Sequence, residues 1–352
     1  MATLSSGGAE RVLSILSKSL ADRFDSVTYV MWVEASIFYD IDKRVKLVSI
    51  QNEIDSKSEL KRMHWFRNYV RQEKPDLILS FLEPINLRVL MCTVRLGVKI
   101  IVAERNDPRG VNKFWWMNQV EKLIYKRADK ILVQTETIRR FFDGSLAAKT
   151  YVIYNPVNIP EDLVGKALTT PKKKRIVSVA RLMSQKKHDV LIKAFAKFIE
   201  CHSDYTLTIY GNGPHREVLL KLAETLCISD KVFLPGVSKT VHQDILNADI
   251  FCLVSMREGL SNSMIEAMCL GLPCICTKVS GAIDLIQPDV NGILTDIGDI
   301  ENLYLQMCRL VENKDLCYNL GVHASQLYKI INYDYISKQW IELINDTIKE
   351  IK

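Results

Sequence analysis

No apolar run among the 352 residues approaches the ~18 that a membrane-spanning helix needs, and the first residues lack the basic-then-apolar pattern of a secretory leader. Together these absences predict a cytoplasmic location. C-x-x-C pairs are missing as well. The nine cysteines include Cys269, Cys274 and Cys276 in or beside apolar runs, which predicts small buried hydrophobes in a reducing compartment rather than metal ligands or disulfides. There is no base-reading or base-stacking motif, so a nucleic-acid partner is not expected. What is present is ordinary for a soluble globular chain: 48% apolar and 25% charged residues, enough for a large core and two domains.

The net charge of +6 is confined to one half of the chain. Residues 1–170 carry 26 Lys+Arg against 20 Asp+Glu; of the totals of 47 and 41, residues 171–352 are left with 21 of each. The first half should therefore favour an anionic partner or surface.

Short β-branched runs alternate with helical periodicity almost throughout, the pattern of β-α-β units and parallel sheets. Strands are predicted at 27–33, 46–50, 76–82, 99–104, 130–135 and 150–155, and again at 175–180, 205–211, 231–236, 249–255 and 273–279. Between the two sets lies "NPVNIPEDLVGKALTTPKKK", with Pro156, Pro160 and Pro171 and no strong period. The expected division is a first domain over 1–160, a linker over 161–174, a second domain over 175–335 and a closing amphipathic helix over 336–352. One strand is short or missing. "SSGGAERVLSILSKSL" reads as a Gly-rich turn opening a helix, yet only "MATL" precedes it, so this reading favours a chain that starts inside a longer protein.

Three stretches carry chemistry. "REGLSNSMIEAMCLGLPCI" (257–275) reads as loop, helix and stop: Ser261, Asn262 and Ser263 are all good N-caps, Gly271 suits the position after the helix, and Pro273 ends it. A helix N-terminus there would suit phosphate. Ser263 to Glu266 also spells a capping box, which would turn Glu266 to a backbone N–H, but no capping rule explains Glu258 or Gly259. In "SVARLMSQKKHDVLIKAF", Arg181 follows a strand and Lys186 or Lys187 opens the next helix, a cation pair suited to a diphosphate. "YGNGPHREVL" is a Gly-x-Gly-Pro turn, weak evidence alone.

In combination these stretches resemble glycosyltransferase family 4, retaining enzymes of the GT-B fold, in which two Rossmann-like doubly wound domains face a cleft and a C-terminal helix returns to the N-terminal domain. The matching residues are Arg181-Leu182-x-x-x-Lys186, Gly211-x-Gly213-Pro214, and Glu258, seven residues, Glu266. "GGAER" (Gly7 to Arg11) resembles the family's first-domain loop, and the motif order covers about residues 5 to 345. The resemblance implies that Glu266 accepts hydrogen bonds from the ribose of a nucleotide sugar and that Glu258 lies near the donor sugar. It further implies that Arg181 and Lys186 neutralise the leaving diphosphate, a charge that grows in the transition state. Gly7, Gly8, Lys187, Gly211, Gly213, Gly259, Leu260, Ser261 and Asn262 would line the donor site. No metal or other cofactor is implied.

Two departures stand out. The family's glycine after the motif lysine is Lys187 here, so either lysine could meet phosphate. "ERNDP" (Glu104 to Pro108) replaces a first-domain histidine and resembles a subgroup tied to bacterial surface-polysaccharide assembly; Glu104 and Arg105 are the candidates on the acceptor side. Asp40-x-Asp42 looks superficially like a metal-diphosphate signature, but it lies between predicted strands of the other half. "NKFWWMNQVEKLIYKR" (112–127) and "KRMHWFRNYVR" (61–71) mix aromatics with cations, which suits either helices that touch anionic membrane surfaces or helices whose aromatics are buried in the core; with the basic first half, the membrane reading is preferred.

The resulting expectation is a retaining transferase that moves a sugar from a UDP-linked donor to a polysaccharide or lipid-linked acceptor, as a peripheral protein on the cytoplasmic membrane face. A nucleotide-sugar 2-epimerase of the same fold and a noncatalytic glycan-assembly subunit are the alternatives.

Overall fold

The computed structural model describes residues 8–34, 37–54, 56, 58–108 and 115–350. The chain forms two compact units, one of residues 1–156 with 333–352 and one of residues 157–332.

In the first unit the described chain runs α1 (Gly8–Arg23), β1 (Thr28–Met31), β2 (Lys46–Ser49), α2 (Ile50–Ile54), α3 (Glu59–Glu73), β3 (Leu77–Phe81), α4 (Glu83–Cys92) and β4 (Lys99–Ala103). It continues through α5 (Trp115–Tyr125), β5 (Lys130–Val133), α6 (Glu136–Arg139), α7 (Gly144–Ala147) and β6 (Thr150–Val152). All strand pairings are parallel, but they form two pieces, β1-β2 and β3-β4-β5-β6. Among the described residues no strand precedes α1. A cavity of about 420 Å³ runs along both β1 and β3, under Leu13, Phe66 and Ile344, so each of these strands has one edge without a strand partner among the described residues.

The second unit runs β7 (Arg175–Val179), α8 (His188–Cys201), β8 (Thr206–Tyr210), α9 (Arg216–Thr225), β9 (Val232–Gly236), α10 (Val241–Ile245), β10 (Ile250–Leu253), α11 (Asn262–Cys269) and β11 (Cys274–Thr277). There follow α12 (Ser280–Leu285), β12 (Ile293–Thr295), α13 (Ile300–Glu312), α14 (Lys314–Ser325) and α15 (Tyr328–Ile331). Its six strands are parallel in the order β12-β11-β10-β7-β8-β9, the doubly wound arrangement. Every residue of β10 and β11 is buried, which explains their unbroken apolar runs. β12, three residues long, was not anticipated from the sequence.

The stretch 161–174 belongs to the second unit rather than to a free linker. It makes two short 3-10 turns, and Gly165 and Ala167 donate backbone hydrogen bonds to Cys269 and Leu270 at the end of α11, both 2.9 Å. All nine cysteines are free; five are buried, while Cys201 and Cys227 are exposed and Cys308 and Cys317 half-buried. No helix of the described residues is long and apolar enough to cross a membrane.

The last helix, α16 (Tyr333–Lys349), belongs to the first unit. Ile336, Trp340, Leu343 and Ile344 recur at helical spacing and pack with Val12, Leu13 and Leu16 of α1 against Phe81, Ile101 and Leu132 of the sheet. Trp340 is fully buried and stacks on Phe81 with centroids 5.7 Å apart. On the other face, Phe66, Val89, Leu90 and Tyr125 of α3, α4 and α5 form a second core. Replacing Trp340 by Ala should therefore cost about 3–5 kcal/mol, read as an earlier urea transition of the first unit with that of the second unchanged.

Candidate active site

In an open parallel sheet, ligands bind beyond the carboxyl ends of the strands where the strand order reverses. In the second unit that point lies between β7 and β10, and the loops leaving these two strands carry Arg181, Lys186 and Glu258. The Gly-x-Gly-Pro turn leaves the adjacent strand β8. Gly211 has φ +139, and a Cβ there would fall 2.0 Å from the Ala180 carbonyl oxygen; at Gly213 it would fall 2.3 Å from that of Leu182. Glycine is thus demanded by close packing against the loop after β7. Leu182 fixes the approach, donating to the Asn212 carbonyl (2.9 Å) and accepting from the His215 N–H (3.0 Å). Arg181, between these anchors, is exposed.

Lys186 is half-buried, and its ammonium donates to Glu258 Oε1. Ser255 Oγ donates to the same carboxylate oxygen at 2.7 Å. The two loops are also stitched through Gln185: its side chain donates to the Arg257 carbonyl and its carbonyl accepts from the Met256 N–H, both 2.8 Å. Thr277, at the end of β11, donates to the Ser255 carbonyl (2.7 Å). Gly281 brings α12 against Gly259 and Leu260, where a Cβ would meet the Gly259 oxygen at 2.7 Å. Lys187 takes the left-handed conformation, φ +50, that suits the family's glycine, and caps α8. Beside it His188 is buried with Nδ1 unpartnered, and burial and then the neighbouring Lys186 push its pKa down to about 4. Lys186 is therefore the lysine whose side chain the fold directs to the loop after β10.

The capping-box reading of Ser263 and Glu266 does not hold. The N-cap is Ser261, whose hydroxyl accepts from the Met264 N–H at 3.4 Å, so Glu266 lies too far into the helix for that role. Asn262 is the first helical residue and Gly271 follows the helix end with φ +85, as expected. Glu266 is buried, and its Oε2 lies 3.1 Å from Nε2 of His242 on α10. Ser255, Gln185, Thr277, His242 and Gly281 escaped sequence reasoning; only Gly281, a glycine in the first turn after a strand, carried a local signal.

In the first unit Gly7 lies outside the described residues and Gly8 opens α1. Glu104 and Arg105 follow β4 and are both buried. The Tyr125 hydroxyl donates to Glu104 Oε2 (2.9 Å) and the Arg105 N–H to Oε1 (3.1 Å), while burial pushes the Glu104 pKa up to about 7. Asp42 is engaged by Arg44 through the backbone N–H (3.0 Å) and the guanidinium (2.9 Å), which hold it well below the usual carboxylate range. Asp40 accepts through its backbone from Ser14. Among the described residues one mixed group, His202, Cys308 and Glu312 at the ends of α8 and α13, has candidate ligand atoms within 4.8 Å of one another. It lies where α8 ends and the chain turns toward the amino end of β8, whereas Arg181, Lys186 and Glu258 lie beyond the carboxyl ends of β7 and β10.

The buried Glu104 makes a pH prediction. Its folded pKa of about 7 exceeds the ordinary 4.5, so the folded state holds the proton more tightly, and the stability it contributes below about pH 4.5 is lost as pH rises toward 7. Substituting Gln for Glu104 should flatten the pH dependence of the first unit's urea midpoint across that window. An unchanged slope would overturn the assignment.

Residues 161–326 match the family described as glycosyl transferases group 1, and residues 6–160 match glycosyltransferase family 4. An uncharacterized glycosyltransferase of Haemophilus influenzae is 26% identical over 345 residues, covering 96% of each chain. A GalNAc-alpha-(1->4)-GalNAc-alpha-(1->3)-diNAcBac-PP-undecaprenol alpha-1,4-N-acetyl-D-galactosaminyltransferase of Campylobacter jejuni is 24% identical over 352 residues, covering 98% of this chain and 96% of that one. The crystal structure of Anabaena HepE with UDP and glucose matches in fold with a TM-score of 0.81 at 18% identity, covering 98% of both chains. With two parallel doubly wound units and the Arg181, Lys186, Glu258 and Glu266 pattern placed on the second, the chain belongs to glycosyltransferase family 4 and is a glycosyltransferase of the GT-B fold.

Proposed function

We propose that this glycosyltransferase moves a sugar from a UDP-linked donor to a lipid-linked or polysaccharide acceptor in surface-glycan assembly, with retention of anomeric configuration. The observation that carries the donor half is the Lys186–Glu258 contact at the β7/β10 reversal, with exposed Arg181 beside it. Lys186 and Arg181 take the diphosphate, and the negative charge that develops on the departing phosphate falls where these cations are already held. Glu258, released from Lys186 by the arriving anion, turns to the sugar hydroxyls. Glu266, oriented by His242, receives the ribose hydroxyls. The acceptor hydroxyl attacks the anomeric carbon on the face the phosphate leaves, the C–O bond to phosphate breaks, and a phosphate oxygen takes the acceptor proton. Gly211, Gly213, Gly259, Leu260, Ser261 and Asn262 supply backbone close to the donor, and Glu104 and Arg105 serve the acceptor. The Campylobacter relative, named for an undecaprenyl diphosphate acceptor, supports a lipid-linked acceptor, and the HepE complex supports UDP. The relatives named for an activity are not epimerases, so that alternative is not favoured.

The exposed face of α5 supports work at a membrane face. Met117, Val120 and Leu123 are exposed at three-residue spacing, an apolar stripe on a helix that also carries Lys122 and leads into Lys126 and Arg127. Lipid-linked substrate would be met by a peripheral protein held through this stripe and the basic first half.

Two measurements test these assignments. By titration calorimetry, Glu266→Gln should keep the melting temperature yet weaken UDP binding roughly tenfold, the loss of one charged acceptor of hydrogen bonds; equal affinity in wild type and variant would return Glu266 to a structural role. The double variant V120E/L123E should lose most of its co-sedimentation with vesicles containing anionic lipid while retaining UDP affinity. Undiminished sedimentation would refute the docking stripe.

A further inference from the structure

The carboxyl edge of the first unit's sheet holds a buried cation that the donor half leaves unused. Arg105 is 6% exposed. Among the described residues only one of its three guanidinium nitrogens, Nη2, has an acceptor, Asn155 Oδ1; Nε and Nη1 have none. That acceptor is a neutral amide already shared with Gln134 Nε2 (2.6 Å), so it does not balance the charge. The adjacent carboxylate is turned elsewhere, Glu104 taking the Tyr125 hydroxyl and the Arg105 backbone N–H rather than the guanidinium. The Phe81 ring, 5.6 Å away, offers partial compensation. Ser80 Oγ and Asn86 Oδ1, buried on β3 and α4, also lack partners. Phe81, Arg105, Gln134 and Asn155 come from the ends of four neighbouring strands, β3 to β6, the edge at which open parallel sheets bind ligands. A buried cation with two idle donors destabilises the empty fold, and an anion placed against it offsets that cost.

We propose that Arg105 is the anion subsite for the acceptor, receiving a phosphoryl oxyanion through Nε and Nη1. These donors lie on different edges of the guanidinium. The two oxygens of a carboxylate match a single edge, whereas the spread oxygens of a diphosphate reach both. Acceptors of this enzyme thus carry their sugar on a phosphate, an inference that deepens the glycosyl-transfer reading and rests on it.

The test uses the full chain saturated with UDP, so that the donor loops are occupied, and follows the melting temperature against geranyl diphosphate, inorganic pyrophosphate, malonate and geraniol. Geranyl diphosphate should raise the wild-type melting temperature, and its half-maximal concentration should rise at least tenfold in Arg105→Met. UDP affinity should stay within twofold. Without ligand, the variant should melt at the same temperature or higher, because a buried charge has gone; a merely structural arginine would lower it. Arg105→Lys, which keeps the charge, should retain part of the response and covers the case in which the methionine variant does not fold. A response larger for geranyl diphosphate than for pyrophosphate identifies a prenyl-linked phosphate, and equal responses a phosphate recognised alone. Equal responses in wild type and Arg105→Met, no response in either, an equally strong effect of malonate, or a tenfold loss of UDP affinity in the variant would each overturn the proposal. Failure of the wild type to bind UDP would strike the donor assignment instead.

Discussion

The contact between Lys186 and Glu258 joins the loop leaving β7 to the loop leaving β10, the two neighbours at which the second unit's strand order turns back on itself. Everything at the donor site is arranged around that junction. Because both groups are half-buried, separating them without a replacement would leave two poorly solvated charges. In the function proposed above, a diphosphate would replace Glu258 as the partner of Lys186, and sugar hydroxyls would replace Lys186 as partners of Glu258. Holding Lys186 against Glu258 keeps the two loops in register, so in the proposed reading a donor would meet cations already in place.

The surroundings hold this junction by steric and hydrogen-bonding means rather than by further charge. Gly211 and Gly213 let the turn after β8 press on the Arg181 loop, Gly281 lets α12 press on the Glu258 loop, the Gln185 and Thr277 side chains tie onto carbonyls of the loop after β10, and Ser255 Oγ holds the Glu258 carboxylate. His188, kept neutral by burial, adds volume beside Lys186 without adding charge. Lys187 departs from this economy: its left-handed backbone is tolerable for lysine but strained relative to glycine, so the family's usual choice has a direct backbone reason.

Much of this was legible in the sequence. The alternating runs revealed both sheets because parallel strands covered on two faces are continuously apolar, and the loops after β7, β8 and β10 carried recognisable spacing. Features that depend on partners far along the chain were not legible. Glu266 spelled a capping box with Ser263 because three consecutive residues could each cap the helix, and the choice of Ser261 was made by the loop before it. Its partner His242 stands on a five-residue helix with no periodic signature. The Pro-rich stretch 161–174 looked like a linker because its order comes from hydrogen bonds to the end of α11, not from its own pattern. β12 is too short to alternate. At Arg105 the sequence indicated a position at a strand end; only the folded structure reveals that two of its donors have no acceptor among the described residues.

The division of the first unit's sheet into β1-β2 and β3-β6 has a consequence for the chain as a physical object. Two parallel backbone edges look onto an apolar hollow, each a row of amides and carbonyls set for ladder bonding, and such edges are templates for any extended segment that reaches them. Amide protons there exchange with solvent sooner than those of β4 and β5, which are paired on both sides. Among the described residues, the strand backbone with the fewest ladder partners beside the cavity therefore lies in the first unit, and its protection depends on α1, α3 and α16 rather than on the sheet itself.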